Sequence, residues 1–391
     1  MILRFLAALT AAALLTSAAG SAAEEPFEIY TYESLTGAAA FVGANTAKAL
    51  AAAEDLVNRT GGIRGRPVKF VIADDQSNPQ VAVQLMNQFL VKKPAIVIGG
   101  LLTSLCNSAA GLLKADGPVL WCYTPGVHPP PGSWIYSTGY STADMFRAGL
   151  RYFRERGLTR IAILTSTDAS GQDADHGIAD ELAKPENAAL TAVAKEHFGT
   201  TDISVAAQLE RIRAANPQAL IVWTSGTPFG TALRGVQQSG LTTPVLASPS
   251  NLVYAQLESY ASIWPSGPVL MPAMPGIVPQ TVSDRRVRGA VQQFAGAMKS
   301  AKIDHPDIGE LTAWDMLMIV VDAYRKLGTE ATPAQIKDYV NAIKSRAGIY
   351  GMLDFNANPQ RGVLPEWITL VKFDPAKQSF SAVSKPGGSP L

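Results

Sequence analysis

The amino-acid sequence predicts an α/β protein built as two doubly wound parallel-sheet lobes joined by a three-strand hinge. Three observations carry that expectation. Short apolar, β-branched runs recur along the chain, and several lack the alternation of a half-exposed strand, as strands buried on both faces do. Amphipathic helical segments lie between them. Three stretches then break the pattern at places where the chain can cross from one lobe to the other.

The strand runs are PFEIYTY (26–32), VKFVIAD (68–74), AIVIGG (95–100), PVLWCY (118–123), RIAILTS (160–166), ALIVWTS (219–225) and PVLAS (244–248). In the helical segment 45–58, Ala47, Leu50, Ala53 and Val57 share a face, and Gly61-Gly62 can take the left-handed conformation that ends a helix. In 79–91 the stripe is Ala82, Leu85, Met86 and Phe89, with Asn78 as N-cap and Pro79 at the first helical position. Further helices are expected at 141–156, 203–215, 228–239, 284–301, 308–327 and 333–345. Segment 308–327 is apolar on nearly all sides and is expected to be deeply packed.

The breaks fall at WIYSTGYSTA (134–143), at the proline-rich MPAMPGIVP (271–279) and at GIYGMLDF (348–355). Three prolines in 271–279 disfavour a helix or a central strand and suit an extended crossing. The expected lobes are 24–143 with 272–349, and 144–271 with 350–391.

Composition narrows the function. The chain has 33 Lys and Arg against 32 Asp and Glu, a net charge of +1, which excludes the basic face of a nucleic-acid binder. Residues 1–23 read as a secretory signal peptide. Arg4 precedes an apolar run at 5–15, and Ser21 and Ala23 are small residues before a cleavage site at Glu24. That run is about half the 20 residues needed to span a bilayer. The mature chain is therefore expected to be exported to an oxidising compartment. Cys106 and Cys122 permit a disulfide in that oxidising compartment, although two buried thiols are equally compatible. The chain lacks GxSxG, a P-loop, HExxH, and a GxGxxG after the first strand. The acidic stretch 168–177 has no glycine where a calcium loop requires it, and reads as a polar loop opening a helix. No catalytic residue, metal or cofactor is expected, and binding is the function class left standing.

The segment NRTGGIRGRPVKFVIADDQSNPQVAVQLMNQFL (58–90) resembles the periplasmic substrate-binding proteins of branched-chain amino-acid-type ABC importers. The resemblance rests on Asn-x-x-Gly-Gly-Ile-x-Gly at 58–65, the strand end Asp74-Asp75, and the helix start Asn78-Pro79. LTGAAAFVG (35–43), VIGGLLTS (97–104) and RIAILTSTDASGQ (160–172) extend it over nearly the whole mature chain. It implies the type I periplasmic binding fold, a ligand held between the lobes by hinge closure, and a permease in the inner membrane as partner. A monomer is expected.

The resemblance also implies site residues. The loop after strand 95–99 receives the ligand's carboxylate in this family, which assigns Thr103 and Ser104 here, at a helix N-terminus suited to anions. Contacts from the next strand end fall on Trp121, Tyr123 and Thr124. The second lobe contributes around Ser170, Thr227, Phe229 and Ser250. Amino-acid binders of the family often carry an acid for the ammonium group after the strand at 244–248, but SPSNLVY (248–254) has none. A buried ammonium without such a partner is costly. The expected ligand is therefore a carboxylate with an apolar, aromatic body. Branched-chain amino acids or small amides are the alternatives, as is a sensing domain serving a signalling partner.

Overall fold

The computed structural model describes residues 25–391, so the expected signal at 1–23 lies outside the described residues. The first sheet is built from β1 (Phe27–Glu33), β2 (Val68–Asp74), β3 (Ile96–Gly99), β4 (Val119–Cys122) and β5 (Ile135–Ser137). Its order is β2-β1-β3-β4-β5, and every pairing is parallel. Successive residues of β3 and β4 enter different cores. Ile96, Ile98, Val119 and Trp121 join α1 (Ala40–Arg59) on one side. Val97, Leu120 and Cys122 join α2 (Pro79–Val91) and α3 (Thr103–Ala110) on the other. Burial on both faces is why these strands show no alternation. Asn78 caps α2 by accepting from the Gln80 N–H at 2.9 Å, with Pro79 at the first position.

The second lobe begins with α4 (Thr142–Glu155), β6 (Arg160–Ser166), α5 (Ala169–Leu182), β7 (Thr191–Phe198) and α6 (Ala206–Ala214). It continues through β8 (Ala219–Trp223), α7 (Pro228–Ser239), β9 (Val245–Ala247), α8 (Tyr254–Ser259) and β10 (Val269–Ala273). The chain then returns to the first lobe as α9 (Arg285–Ser300), α10 (Ile308–Leu327) and α11 (Pro333–Asn341). A short hairpin, β11 (Arg346–Gly348) with β12 (Gly351–Leu353), precedes β13 (Thr369–Asp374) and β14 (Ser379–Ala382). The second sheet has the order β14-β13-β10-β9-β8-β6-β7. β13 and β14 run antiparallel at one edge, so a mixed margin closes an otherwise parallel sheet.

Two sequence expectations are corrected here. The proline-rich stretch begins inside a strand, because Met271, Pro272 and Ala273 belong to β10. Pairing with β9 stops at Leu270, so Pro272 lies beyond that ladder and has only β13 beside it. β7 carried no apolar run because it is the opposite edge strand, exposed or half-buried at every residue but Phe198. Residues 354–363, assigned from sequence to the second lobe, lie against the first: the Gln360 carbonyl accepts from the Ser137 N–H, and Phe355 packs on Trp121 and Tyr136.

The crossings meet in one cluster. The Tyr140 hydroxyl donates to the Tyr350 carbonyl at 2.5 Å, and the Gly276 N–H donates to the Ile349 carbonyl at 2.9 Å. Asp315, on the deeply buried α10, accepts from the N–H groups of Ile349 and Tyr350 at 3.0 and 3.1 Å. Each crossing is thus tied to another by backbone groups that would otherwise be buried unpaired. Among the described residues no helix is long and apolar enough to cross a membrane, and no cluster of His, Cys, Asp or Glu could hold a metal.

Candidate ligand cleft

The C-terminal edges of both sheets face one cleft beside the hinge, where open α/β sheets place ligands. One end of the cleft is polar. α3 starts there with Leu102 as an uncapped N-cap residue, so its first N–H groups remain available to an acceptor. Thr103 stands at the first helical position. Its hydroxyl lies 3.1 Å from that of Thr124, which also accepts from the Gly126 N–H at 3.3 Å. A β-carbon on Gly126 would crowd the Thr103 hydroxyl, so glycine lets the two loops approach. The second lobe faces them with Ser170, Ser225, Ser248 and Ser250. The Ser250 hydroxyl lies 3.0 Å from that of Ser225 and 2.9 Å from that of Ser248.

The other end is an apolar chamber, partly open to solvent. Val42, Leu101 and Leu102 come from the first lobe, Met145 from the second, and Met274 and Tyr140 from the hinge. Tyr123 and Tyr350 add aromatic surface. Burial, followed by the charge of Glu33, holds the Tyr123 hydroxyl well above its ordinary pKa. Burial does the same for Tyr140 and Tyr350, so all three remain neutral. Glu33 lies behind Tyr123 and accepts from the Thr31 hydroxyl at 3.1 Å. Burial pushes its carboxyl well above the usual range, which favours the protonated form. None of the described residues lining either end of the cleft is charged.

The lobes touch across this cleft. The Thr227 N–H reaches the Ala38 carbonyl at 3.4 Å, and His128 Nε2 lies 2.5 Å from Asp173 Oδ1. The arrangement is that of two lobes closed on a chamber.

Of the residues expected from sequence, Thr103, Thr124, Ser170 and Ser250 line the polar end, and Tyr123 lines the chamber. The others lie elsewhere. Ser104 is one step further along α3 and does not line the cleft. Trp121 is one turn of the pleat below Tyr123. It packs on Tyr136 and Phe355, with ring centroids 5.2 and 5.8 Å away, as core. Phe229 is fully buried in the second lobe, edge-on to Tyr260. Thr227 serves the contact between lobes through its backbone. Sequence reasoning missed Ser225 and Ser248, both at strand ends, where the sheet-edge rule would have found them. It also missed Tyr140, Met274 and Tyr350. These sit in the crossings, and only assembly of the hinge turns them toward the cleft.

A profile of the periplasmic binding protein family matches residues 31–378. The chain belongs to that family. Its fold is that of the type I periplasmic binding proteins. A leucine-, isoleucine-, valine-, threonine- and alanine-binding protein of Pseudomonas aeruginosa is 24% identical over 298 residues, covering 73% of this chain and 74% of the relative. Among solved structures, a solute-binding protein of an ABC transporter from R. palustris in complex with benzoate superimposes with a TM-score of 0.75 at 14% identity. That match covers 94% of this chain and 98% of the other. A branched-chain amino acid transporter substrate-binding protein from Streptococcus pneumoniae in complex with isoleucine also gives 0.75, at 17% identity, covering 92% of this chain and 99% of the other. The fold of this periplasmic binding protein is therefore shared by proteins holding quite different ligands.

The disulfide left open by sequence is present in this binding protein. Cys106 of α3 is joined to Cys122 at the end of β4, with the Cα atoms 5.8 Å apart. The bond fastens the helix carrying Thr103 to the strand leading to Thr124.

Proposed function

We propose that this binding protein captures a small carboxylate with an apolar, aromatic body and delivers it to an ABC permease. One observation carries the reading: a hydroxyl-lined end adjoins an apolar chamber, and among the described residues no charged side chain lines either. A carboxylate finds donors in the Thr103 and Thr124 hydroxyls and in the first N–H groups of α3. Ser170, Ser225 and Ser250 close on it from the second lobe. An aromatic ring fits against Tyr123, Tyr140 and Tyr350, where offset or edge-on packing is favourable. An α-ammonium group would enter this chamber without a carboxylate to pair with, which disfavours amino acids. The benzoate-bound neighbour supports the aromatic reading. The Pseudomonas relative's name keeps branched-chain amino acids as the second reading. Export by the signal at 1–23 and action as a monomer belong to the same proposal.

A thermal-shift panel tests it. A ligand present at 100 times its dissociation constant adds about 2.7 kcal/mol of stability, a readily measured rise in Tm. Benzoate or cinnamate derivatives should raise Tm, and leucine and isoleucine should leave it unchanged. Stabilisation by leucine or isoleucine without any by aromatic acids would refute the aromatic reading and favour the second.

A further inference from the structure

A buried cation stands directly behind the cleft, and the ligand contacts described above do not use it. Arg361 is 6% exposed. Its guanidinium donates to the carbonyls of Gly139 at 3.0 Å, Pro125 at 3.1 Å and Val127 at 2.6 Å. Pro125 and Gly139 are themselves cleft-lining residues, so the charge lies one residue behind the wall. Burial draws its pKa down to about 10, which leaves it charged at neutral pH.

Among the described residues, no carboxylate touches this guanidinium. Asp144 and Asp173 act on it through space, and each is engaged elsewhere. Asp144 accepts from Arg147 at 2.9 Å and from the Ser141 hydroxyl at 2.6 Å. Asp173 is paired with His128. Three carbonyl dipoles satisfy the hydrogen-bonding fork of Arg361 but carry no net charge. A buried cation left without a counter-charge is unfavourable. An anion brought to the nearby cleft relieves that cost, and a neutral ligand of the same shape does not.

We propose that Arg361 is the specificity-determining positive charge of the cleft, selecting anionic ligands from behind an uncharged wall and holding the 125–127 loop beside the carboxylate position. The inference rests on the carboxylate reading above and deepens it. It would let a cleft with no charge among its described lining residues discriminate an acid from its amide.

The test compares a carboxylate with its uncharged isostere, benzoate with benzamide, by calorimetry on the full mature protein. Wild type should bind benzoate at least about tenfold more tightly than benzamide. Arg361→Gln and Arg361→Met should bring that ratio toward one, mainly by weakening benzoate. The methionine variant guards against a glutamine variant that fails to fold, because it fills the space with an apolar chain. Arg361→Lys, which keeps the charge, should keep most of the preference. A folded Gln or Met variant that loses both ligands in equal proportion would reduce Arg361 to a loop support and overturn the proposal. So would a wild type that binds acid and amide alike. If wild type binds leucine and not benzoate, the aromatic reading fails, and leucine against leucinamide puts the same question to Arg361.

Discussion

Gly226 of the second lobe lies directly beneath the carbonyl of Ala38 in the first. A β-carbon on Gly226 would overlap that oxygen, and the backbone there has φ +75°, a left-handed conformation natural to glycine. The neighbouring Thr227 N–H donates to the same carbonyl at 3.4 Å. Backbone meets backbone across the cleft here, so this contact depends on a residue without a side chain.

Gly226→Ala is therefore expected to prop the lobes apart. Within the second lobe alone it costs about 1–2 kcal/mol of backbone strain, and the unliganded protein should still fold. Ligand affinity should fall at least about tenfold. Small-angle scattering should show the compaction that ligand produces in wild type and little of it in the variant. Equal compaction in both would show that closure does not need this contact.

Glu310 predicts a pH dependence. It lies in the first turn of α10, where its carboxylate accepts from the Asp307 N–H at 2.9 Å while Asp307 caps the helix. Burial, and then the charge of Asp307, push the Glu310 carboxyl up to about 8. The folded chain thus holds this proton more tightly than the unfolded chain, whose glutamates titrate near about 4.3. The resulting stability is fully present below that value and is lost as pH rises through about 8. Glu310→Gln keeps an acceptor for the Asp307 N–H but cannot ionise. Its Tm should fall less than that of wild type between pH 5 and pH 9, with a residual slope from Asp307, whose pKa burial also raises. Parallel Tm profiles for the two proteins would remove Glu310 from the account.

The disulfide joins Cys106 to Cys122 across a sequence separation of 16. A loop of that size is worth about 3 kcal/mol in the unfolded-chain model. Reductant should lower the Tm of wild type and weaken ligand binding, because Thr103 and Thr124 lie on the two elements it joins. The double variant Cys106→Ser with Cys122→Ser should start lower and ignore reductant. A wild-type Tm indifferent to reductant under denaturing scans would argue that the bond contributes nothing to stability.

Much of the fold was legible because its signals are local. Doubly buried strands announce themselves as unbroken β-branched runs, and Asn78-Pro79 marks a helix start by capping chemistry alone. The elements that escaped are those whose stability comes from neighbours. β7 is an exposed edge strand, β13 and β14 form an antiparallel margin, and Pro272 is tolerated only because the β9 ladder has already ended.

The same division runs through the cleft. Sequence alone determined two parallel α/β lobes, three crossings between them and a hydroxyl-bearing helix start at Thr103, since each follows from residue types within a few positions of one another. Tertiary structure decided which aromatic rings face the ligand. Trp121 and Phe229 were turned into the cores by the packing of whole layers, while Tyr140 and Tyr350 were brought to the cleft by the hydrogen bond that joins their crossings. It also placed Arg361, 236 residues from Pro125 in sequence, behind the wall of the cleft. Contacts over such separations depend on how complete lobes dock, and no short stretch of sequence encodes that.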